Sequence, residues 1–202
     1  MKLYYAPGTC SLAAHIVLAA LDIPHTLERV DFKTKKTETG RDFNAINPKS
    51  YVPTLELDDG SILTECPAIL TYIADQKPES GWNPPFGTME RIRVLEWLVF
   101  VGTEIHKNFF AIFNPNAPDS WKSIVREIAK GRLAYANSAL QGKTYLVTDH
   151  PTIADAYFFV VTRWIGHLGF DPAQFPEITA FQSRMAALPA VRKAMETEGL
   201  PV

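Results

Sequence analysis

The sequence predicts a small α/β domain with a mixed four-stranded sheet over residues 1–77, followed by an all-helical domain over residues 88–202. Three observations point there. Short strand-like and helix-like segments alternate as far as Gln76. Pro78, Gly81, Pro84 and Pro85 punctuate residues 78–87 as a linker. No strand pattern returns beyond it.

In chain order, Lys2 to Ala6 reads as an apolar strand stopped by Pro7-Gly8, and Thr9 as the N-cap of a helix from Cys10 to Leu21. His25 to Asp31 alternates as a second strand. A polar stretch follows, then a short helix within Arg41 to Asn47. Val52 to Leu57 and Ser61 to Thr64 flank Asp58-Asp59-Gly60, a hairpin signal. Pro67 suits the first position of a helix running to Gln76. In this order the first two strands are parallel and the last two antiparallel. Past the linker, Met89 to Phe113 carries a long helical period ended by Asn114-Pro115, and Trp121 to Leu140 carries a second. Thr152 to Leu168 is a third helix, opened by Thr152 and Asp155, which match a capping box with Asp standing in for Glu. Two shorter helices, split by Pro189, finish the sequence.

Composition narrows the function classes. The sequence has 202 residues, a net charge of −2 and 47% hydrophobic residues, which suits a globular protein and argues against disorder. No Lys/Arg cluster points to nucleic acid or to an anionic membrane. No apolar stretch approaches the roughly 20 residues that span a bilayer. Leu12 to Leu21 makes a poor signal-peptide core, because His15 interrupts it and Pro7-Gly8 precedes it as a turn. Two cysteines make no disulfide framework, so a reducing compartment, the cytoplasm, is expected.

Cys10 is the first candidate for chemistry. It sits in the opening turn of a helix, where free amides and the helix dipole favour a thiolate, so a lowered thiol pKa is expected. A buried structural cysteine is the alternative. A strand–turn–Cys–helix entry is also where thioredoxin-like domains keep a reactive sulfur. Ala13 stands where a dithiol motif needs its second Cys, so redox chemistry at Cys10 must borrow a thiol from elsewhere. Val52-Pro53 opens a strand with a residue that cannot donate to the ladder. A cis bond there would offer the Val52 backbone to a ligand, while a trans proline at a strand start is the commoner arrangement. At Glu65-Cys66-Pro67, the free amides of a helix start can seat a carboxylate and Glu65 can hold an ammonium, unless this is an ordinary exposed helix entry. Val99, Thr103, His106 and Phe110 share one helical face, with Lys107 beside it. A lone His on a helix is more often packed or solvated. Lys35, in a run with Lys33 and Lys36, reads by itself as part of a solvated loop.

Several segments then resemble the bacterial beta-class glutathione transferases, in order and from end to end. They are Met1 to Ser11 (MKLYYAPGTCS), Asn47-Pro48, Val52-Pro53-Thr54-Leu55, Leu63-Thr64-Glu65, Glu96-Trp97-Leu98, Thr103 to Lys107 (TEIHK) and Thr152 to Tyr157 (TIADAY). The resemblance implies the glutathione transferase fold, with a thioredoxin-like glutathione-binding domain and a helical domain carrying the electrophile pocket. It also implies a homodimer, with each active site at the domain interface and near the partner subunit. Glutathione is the implied co-substrate, without a metal. By resemblance, Cys10 contacts the glutathione sulfur and can form a mixed disulfide with it, and Ser11 is a hydroxyl donor to the thiolate. Val52, with a cis Pro53, pairs its backbone with the cysteinyl part. Glu65 and the amide of Cys66 hold the γ-glutamyl end, and Lys35 reaches the glycyl carboxylate. Thr103, Glu104 and His106 approach from the helical domain, His106 tuning the sulfur and Lys107 lying nearby. Three positions depart from the pattern: Val99 replaces a usual Asn, Tyr51 a usual Gln near the glycyl end, and Cys66 a usual Gly or Ser.

The function expected is conjugation of glutathione to small hydrophobic electrophiles, a detoxifying reaction. Glutathione-dependent thiol–disulfide exchange or peroxide reduction through Cys10 is the alternative. A third reading is non-catalytic ligand binding, with Phe109, Phe110, Phe113 and Trp164 as an apolar wall.

Overall fold

The computed structural model describes residues 1–201 and divides them into two compact units, residues 1–83 with 186 onward and residues 84–185. The first unit is built on a five-stranded sheet of order β3-β2-β1-β4-β5. Its strands are β1 (Lys2–Tyr5), β2 (Thr26–Asp31), β3 (Lys36–Thr37), β4 (Thr54–Glu56) and β5 (Ile62–Thr64). β1 runs parallel to β2, and the β1/β4, β2/β3 and β4/β5 pairs are antiparallel. The expected four strands are present. The fifth, β3, is a two-residue edge within the polar stretch, too short and too polar to show an alternating pattern.

Helix α1 (Ser11–Ala20) is apolar on every side, and Ser11 to Leu18 are all buried. It packs on β1, on α3 (Cys66–Asp75) and on α9 (Pro189–Thr197). The last helix thus belongs with the first unit and does not continue an uninterrupted helical domain to the end of the sequence. The residue that caps its C-terminal end, Glu198, is buried and makes two bonds. One oxygen accepts from the Gly8 N–H at 3.0 Å, and the other lies 3.0 Å from His15 Nδ1. On the other face of the sheet, Tyr4, Val30 and Val52 pack with Phe43 of the short α2 (Phe43–Ile46).

The second unit is helical: α4 (Met89–Phe100), α5 (Lys107–Phe113), α6 (Asp119–Ala139), α7 (Ile153–Thr162) and most of α8 (Pro176–Ala186). The expected single helix over 89–113 is interrupted. Val101–His106 is π-helical, and the Lys107 N–H donates to Gly102 O five residues back. α7 ends at Thr162, six residues short of Leu168; the Thr162 hydroxyl donates back to Phe158 O at 2.7 Å and to Phe159 O at 3.3 Å. Among the described residues no helix is long and apolar enough to cross a membrane.

The capping box at Thr152 and Asp155 forms. The fully buried Asp155 carboxylate accepts from Leu146 N at 2.9 Å, Thr152 N at 2.8 Å and Thr152 Oγ1 at 2.7 Å. Burial lifts its pKa from 3.8 to about 6 against the pull of these donors. The folded value lies above the unfolded one, so this group's contribution to stability is full below pH 3.8 and is lost as pH rises through about 6. Asp155→Ala removes that pH component and leaves buried donors unpaired, at a cost of at least about 2 kcal/mol at pH 7. Urea unfolding of both proteins between pH 4 and 7 measures both effects.

Candidate active site

The turn between β1 and α1 presents Cys10. Cys10, and not Thr9, occupies the N-cap position, with no side-chain cap bond. Thr9 instead donates its hydroxyl to Ala6 O at 2.8 Å. The Ser11 hydroxyl is fully buried, accepts from Ala6 N at 3.2 Å and donates to Ala6 O at 3.2 Å. It therefore closes the turn instead of facing a ligand, contrary to the donor role expected for it.

The Cys10 sulfur donates to Val52 O at 3.2 Å, and the Val52-Pro53 bond is cis. Cys10 keeps only 9% of its surface, and burial pushes its thiol up to about 12, against the lowering by the Cys10 and Ser11 backbone amides. The Glu65 charge adds to the rise. The expected lowering is therefore reversed. Backbone dipoles at a helix start do favour the thiolate, but the loss of water costs it more. At neutral pH Cys10 is a thiol and a hydrogen-bond donor.

The start of α3 and the loops at Lys35 and Ser50 supply the remaining residues of this unit. Glu65 caps α3 with φ 72°, a conformation that costs a non-glycine residue of order 1–3 kcal/mol and that concentrates at functional sites. Its carboxylate is two-thirds exposed and meets Lys49 Nζ at 2.7 Å. α3 begins at Cys66, so Pro67 is its second residue and not its first. The first amides of that helix lack partners within it. The buried Cys66 thiol points at Cys10 O, 3.7 Å away, and burial holds its pKa well above the ordinary value. Lys35, itself at φ 56°, is no free loop lysine. Its ammonium donates to Ser50 O at 3.3 Å, one residue before the exposed Tyr51. The first unit thus gathers Cys10, Val52, Pro53, Glu65 and Cys66, with Lys35 and Tyr51 along the adjoining loop.

In the second unit the π-helical segment carries Thr103, Glu104 and His106, with Lys107 next to it. Thr103 is exposed and bonds back to Val99 O at 3.0 Å. Glu104 pairs with Arg132 at 2.7 Å. His106 does not share the exposed face of Val99, Thr103 and Phe110. Its Nδ1 lies 2.8 Å from the Tyr157 hydroxyl and its ring 5.1 Å from that of Trp164. Burial, and then the Lys107 charge, lower its pKa to about 4, so the ring is neutral at pH 7. The Lys107 ammonium lies 5.8 Å from the Phe110 ring. Of the expected apolar wall, Phe113 meets Trp164 edge-on at 5.9 Å and Phe110 is half exposed, whereas Phe109 is wholly buried core.

Comparison with known proteins identifies this architecture. Residues 8–76 match the glutathione S-transferase N-terminal domain model, and residues 100–189 match the C-terminal domain model. The chain is 42% identical to glutathione S-transferase GstA of Escherichia coli O157:H7, over 99% of this chain and 100% of that one. A glutathione transferase structure from Methylococcus capsulatus strain Bath shares 49% identity, with a TM-score of 0.95 and 98% of each chain covered. A sphingomonad glutathione S-transferase complexed with glutathione shares 41% identity, with a TM-score of 0.95 and 100% of each chain covered. The chain belongs to the glutathione S-transferase family.

In this transferase several supporting residues lie outside those the sequence singles out. Buried Asn47 donates to Tyr51 O at 2.8 Å and to Thr54 Oγ1 at 2.9 Å, bracing the loop that ends in Val52. Asn47-Pro48 is visible as a motif, but its reach across seven residues is not. Lys49, Tyr157 and Glu198 have partners too distant in sequence to be read from local spacing. Among the described residues no cluster of His, Cys, Asp or Glu gathers as a metal site. Because Cys10 is protonated, its alkylation by iodoacetamide, followed by peptide mapping, should be slower at pH 7 than that of free cysteine. The rate should still be climbing at pH 10; a plateau below pH 8 would contradict the protonated state.

Proposed function

We propose that this protein, a beta-class enzyme by its motif set, conjugates reduced glutathione to small hydrophobic electrophiles. The observation that carries this reading is the protonated Cys10 thiol beside the Val52 carbonyl, in a chain matching transferases over its full length. The glutathione thiol releases its proton to solvent, and the S–H of Cys10 donates to the resulting thiolate. The thiolate attacks an electrophilic carbon and displaces its leaving group. Val52, with the cis Pro53, offers its backbone to the cysteinyl part of glutathione. The first amides of α3, at Cys66, take the γ-glutamyl carboxylate and Glu65 the ammonium. Lys35 takes the glycyl carboxylate near Tyr51. Thr103, Glu104, His106 and Lys107 are the contacts proposed from the helical unit, with His106 acting as a neutral ring held by Tyr157.

The proposed assembly is a homodimer. Exposed apolar residues recur at helical spacing on α4 (Met89, Ile92, Val99) and on α6 (Ile124, Ile128, Tyr135), a surface that a second copy of the chain would cover. The free cysteines suit a reducing cytoplasm. Ile92→Glu with Ile128→Glu should shift the mass measured by light scattering from two chains to one.

A second reading has its own observation. Cys10 is a thiol placed where the glutathione sulfur would lie, and it can exchange with a glutathione disulfide. The two chemistries separate in Cys10→Ala. An S–H donor contributes about as much as one ordinary hydrogen bond, roughly 0.5–1.5 kcal/mol, so turnover of 1-chloro-2,4-dinitrobenzene should fall by no more than about tenfold. Thiol–disulfide exchange should vanish. Failure of the wild-type protein both to bind immobilised glutathione and to turn over the aryl halide would overturn the transferase reading.

A further inference from the structure

Cys66 stands in the same small volume as Cys10 but takes no part in conjugation beyond its backbone amide. The two residues occupy the N-terminal ends of α1 and α3, helices that pack against each other. The Cys66 sulfur lies 3.7 Å from the Cys10 carbonyl oxygen, so the Cys66 side chain reaches the backbone of the residue that carries the other thiol. An ionised Cys10 would raise the Cys66 pKa further, beyond the rise that burial causes. Both are free thiols. Their exposures differ in consequence more than in size. Cys10 is met from the side of the Val52 carbonyl, where the proposed glutathione sulfur would come. The Cys66 thiol is turned toward the Cys10 backbone.

We propose that Cys66 is a resolving thiol for Cys10, and that the two form a reversible internal disulfide that makes the protein a dithiol oxidoreductase as well as a transferase. The assignment rests on the reading that Cys10 meets the sulfur of glutathione. In the first step the Cys10 sulfur attacks glutathione disulfide. A bond forms between Cys10 and one glutathionyl sulfur, the disulfide of the oxidant breaks, and the other half leaves as glutathione with the proton from Cys10. In the second step the Cys66 sulfur attacks the Cys10 sulfur. The Cys10–glutathione bond breaks, its electron pair goes to the departing glutathione sulfur, and that sulfur takes up the proton released by Cys66. The sum is two protein thiols oxidised and one glutathione disulfide reduced to two glutathiones. Rotation about the Cα–Cβ bonds aligns the sulfurs for the second step, since a disulfide tolerates only a narrow range of separation and torsion. Ala13 excludes the dithiol motif within α1, and Cys66 supplies the second thiol from the neighbouring helix start.

The test is a time course of the reduced full-length protein with glutathione disulfide, quenched in acid and read by intact mass and peptide mapping. In the wild type, a species carrying one glutathionyl group should rise and decay. A species two hydrogens lighter than the reduced protein should replace it, with the Cys10 and Cys66 peptides linked. In Cys66→Ser and Cys66→Ala the glutathionyl adduct on Cys10 should persist at least tenfold longer. A wild-type adduct as long-lived as that of the variants, without a linked peptide, overturns the proposal. Absence of any adduct at Cys10 in the variants overturns instead the reading that Cys10 meets glutathione. A parallel arm with diamide, which oxidises neighbouring thiols directly, needs no glutathione site and no variant. A linked Cys10–Cys66 peptide there supports the thiol pair, and its absence overturns it.

Discussion

Because every residue from Ser11 to Leu18 is buried, helix α1 must be covered on all sides. The protein meets that demand with the sheet, α3 and, from the far end of the sequence, α9. Two of these covers carry functional groups with them. α3 arrives with Glu65 and Cys66 at its start, which lies beside the start of α1. α9 arrives with Glu198, which reaches the Gly8 amide 190 residues earlier in the sequence. Apolar burial thus decides which polar groups surround Cys10.

A buried carboxylate is expensive unless its oxygens are met, and both oxygens of Glu198 have partners, His15 on one and the Gly8 amide on the other. The turn that presents Cys10 is consequently held from two directions. Glu198 fixes Gly8 from outside the turn, and Ser11 ties its hydroxyl to Ala6 within it. The loop carrying Val52 is held in the same manner by buried Asn47 and Thr54. A side chain on such a turn has little freedom to wander, and a 3.2 Å contact between Cys10 and the Val52 carbonyl can be kept.

What the sequence discloses and what it hides divide along the range of the interactions involved. The strand–turn–helix at Cys10, the hairpin at Asp58–Gly60 and the capping box at Asp155 are all local, and each leaves a local mark. β3 leaves none, since two residues at a sheet edge are held by β2 and not by their own pattern. The π-helical segment is hidden for a different reason. Its apolar residues Val101 and Ile105 still fall at a helical interval, so the period continues while the backbone bonding changes. That change turns His106 away from Thr103 and onto Tyr157. The return of α9 is hidden because amphipathicity marks a helix's buried face but not what it packs on.

The reversal of the lowered pKa expected at Cys10 follows from two effects of opposite sign at the same atom. Helix-start amides act on the sulfur through a few bonds, whereas desolvation acts on the whole charge, and here the second prevails. This orders the chemistries available to the site. A thiol that keeps its proton is a ready donor to another group's thiolate, and a slow nucleophile in its own right. The Glu65 charge is the smallest contributor to the rise, so a ligand ammonium placed on Glu65 would relieve only a minor part of it. The larger part yields only when a ligand changes the solvation of the sulfur itself. Donation needs only that the S–H turn from the Val52 carbonyl to the incoming thiolate, while exchange with a disulfide must first recover a thiolate from a buried thiol. On that ground the proposed donor role suits the resting state of Cys10, and the proposed disulfide chemistry through Cys10 and Cys66 would be the slower one, favoured where oxidised glutathione is abundant.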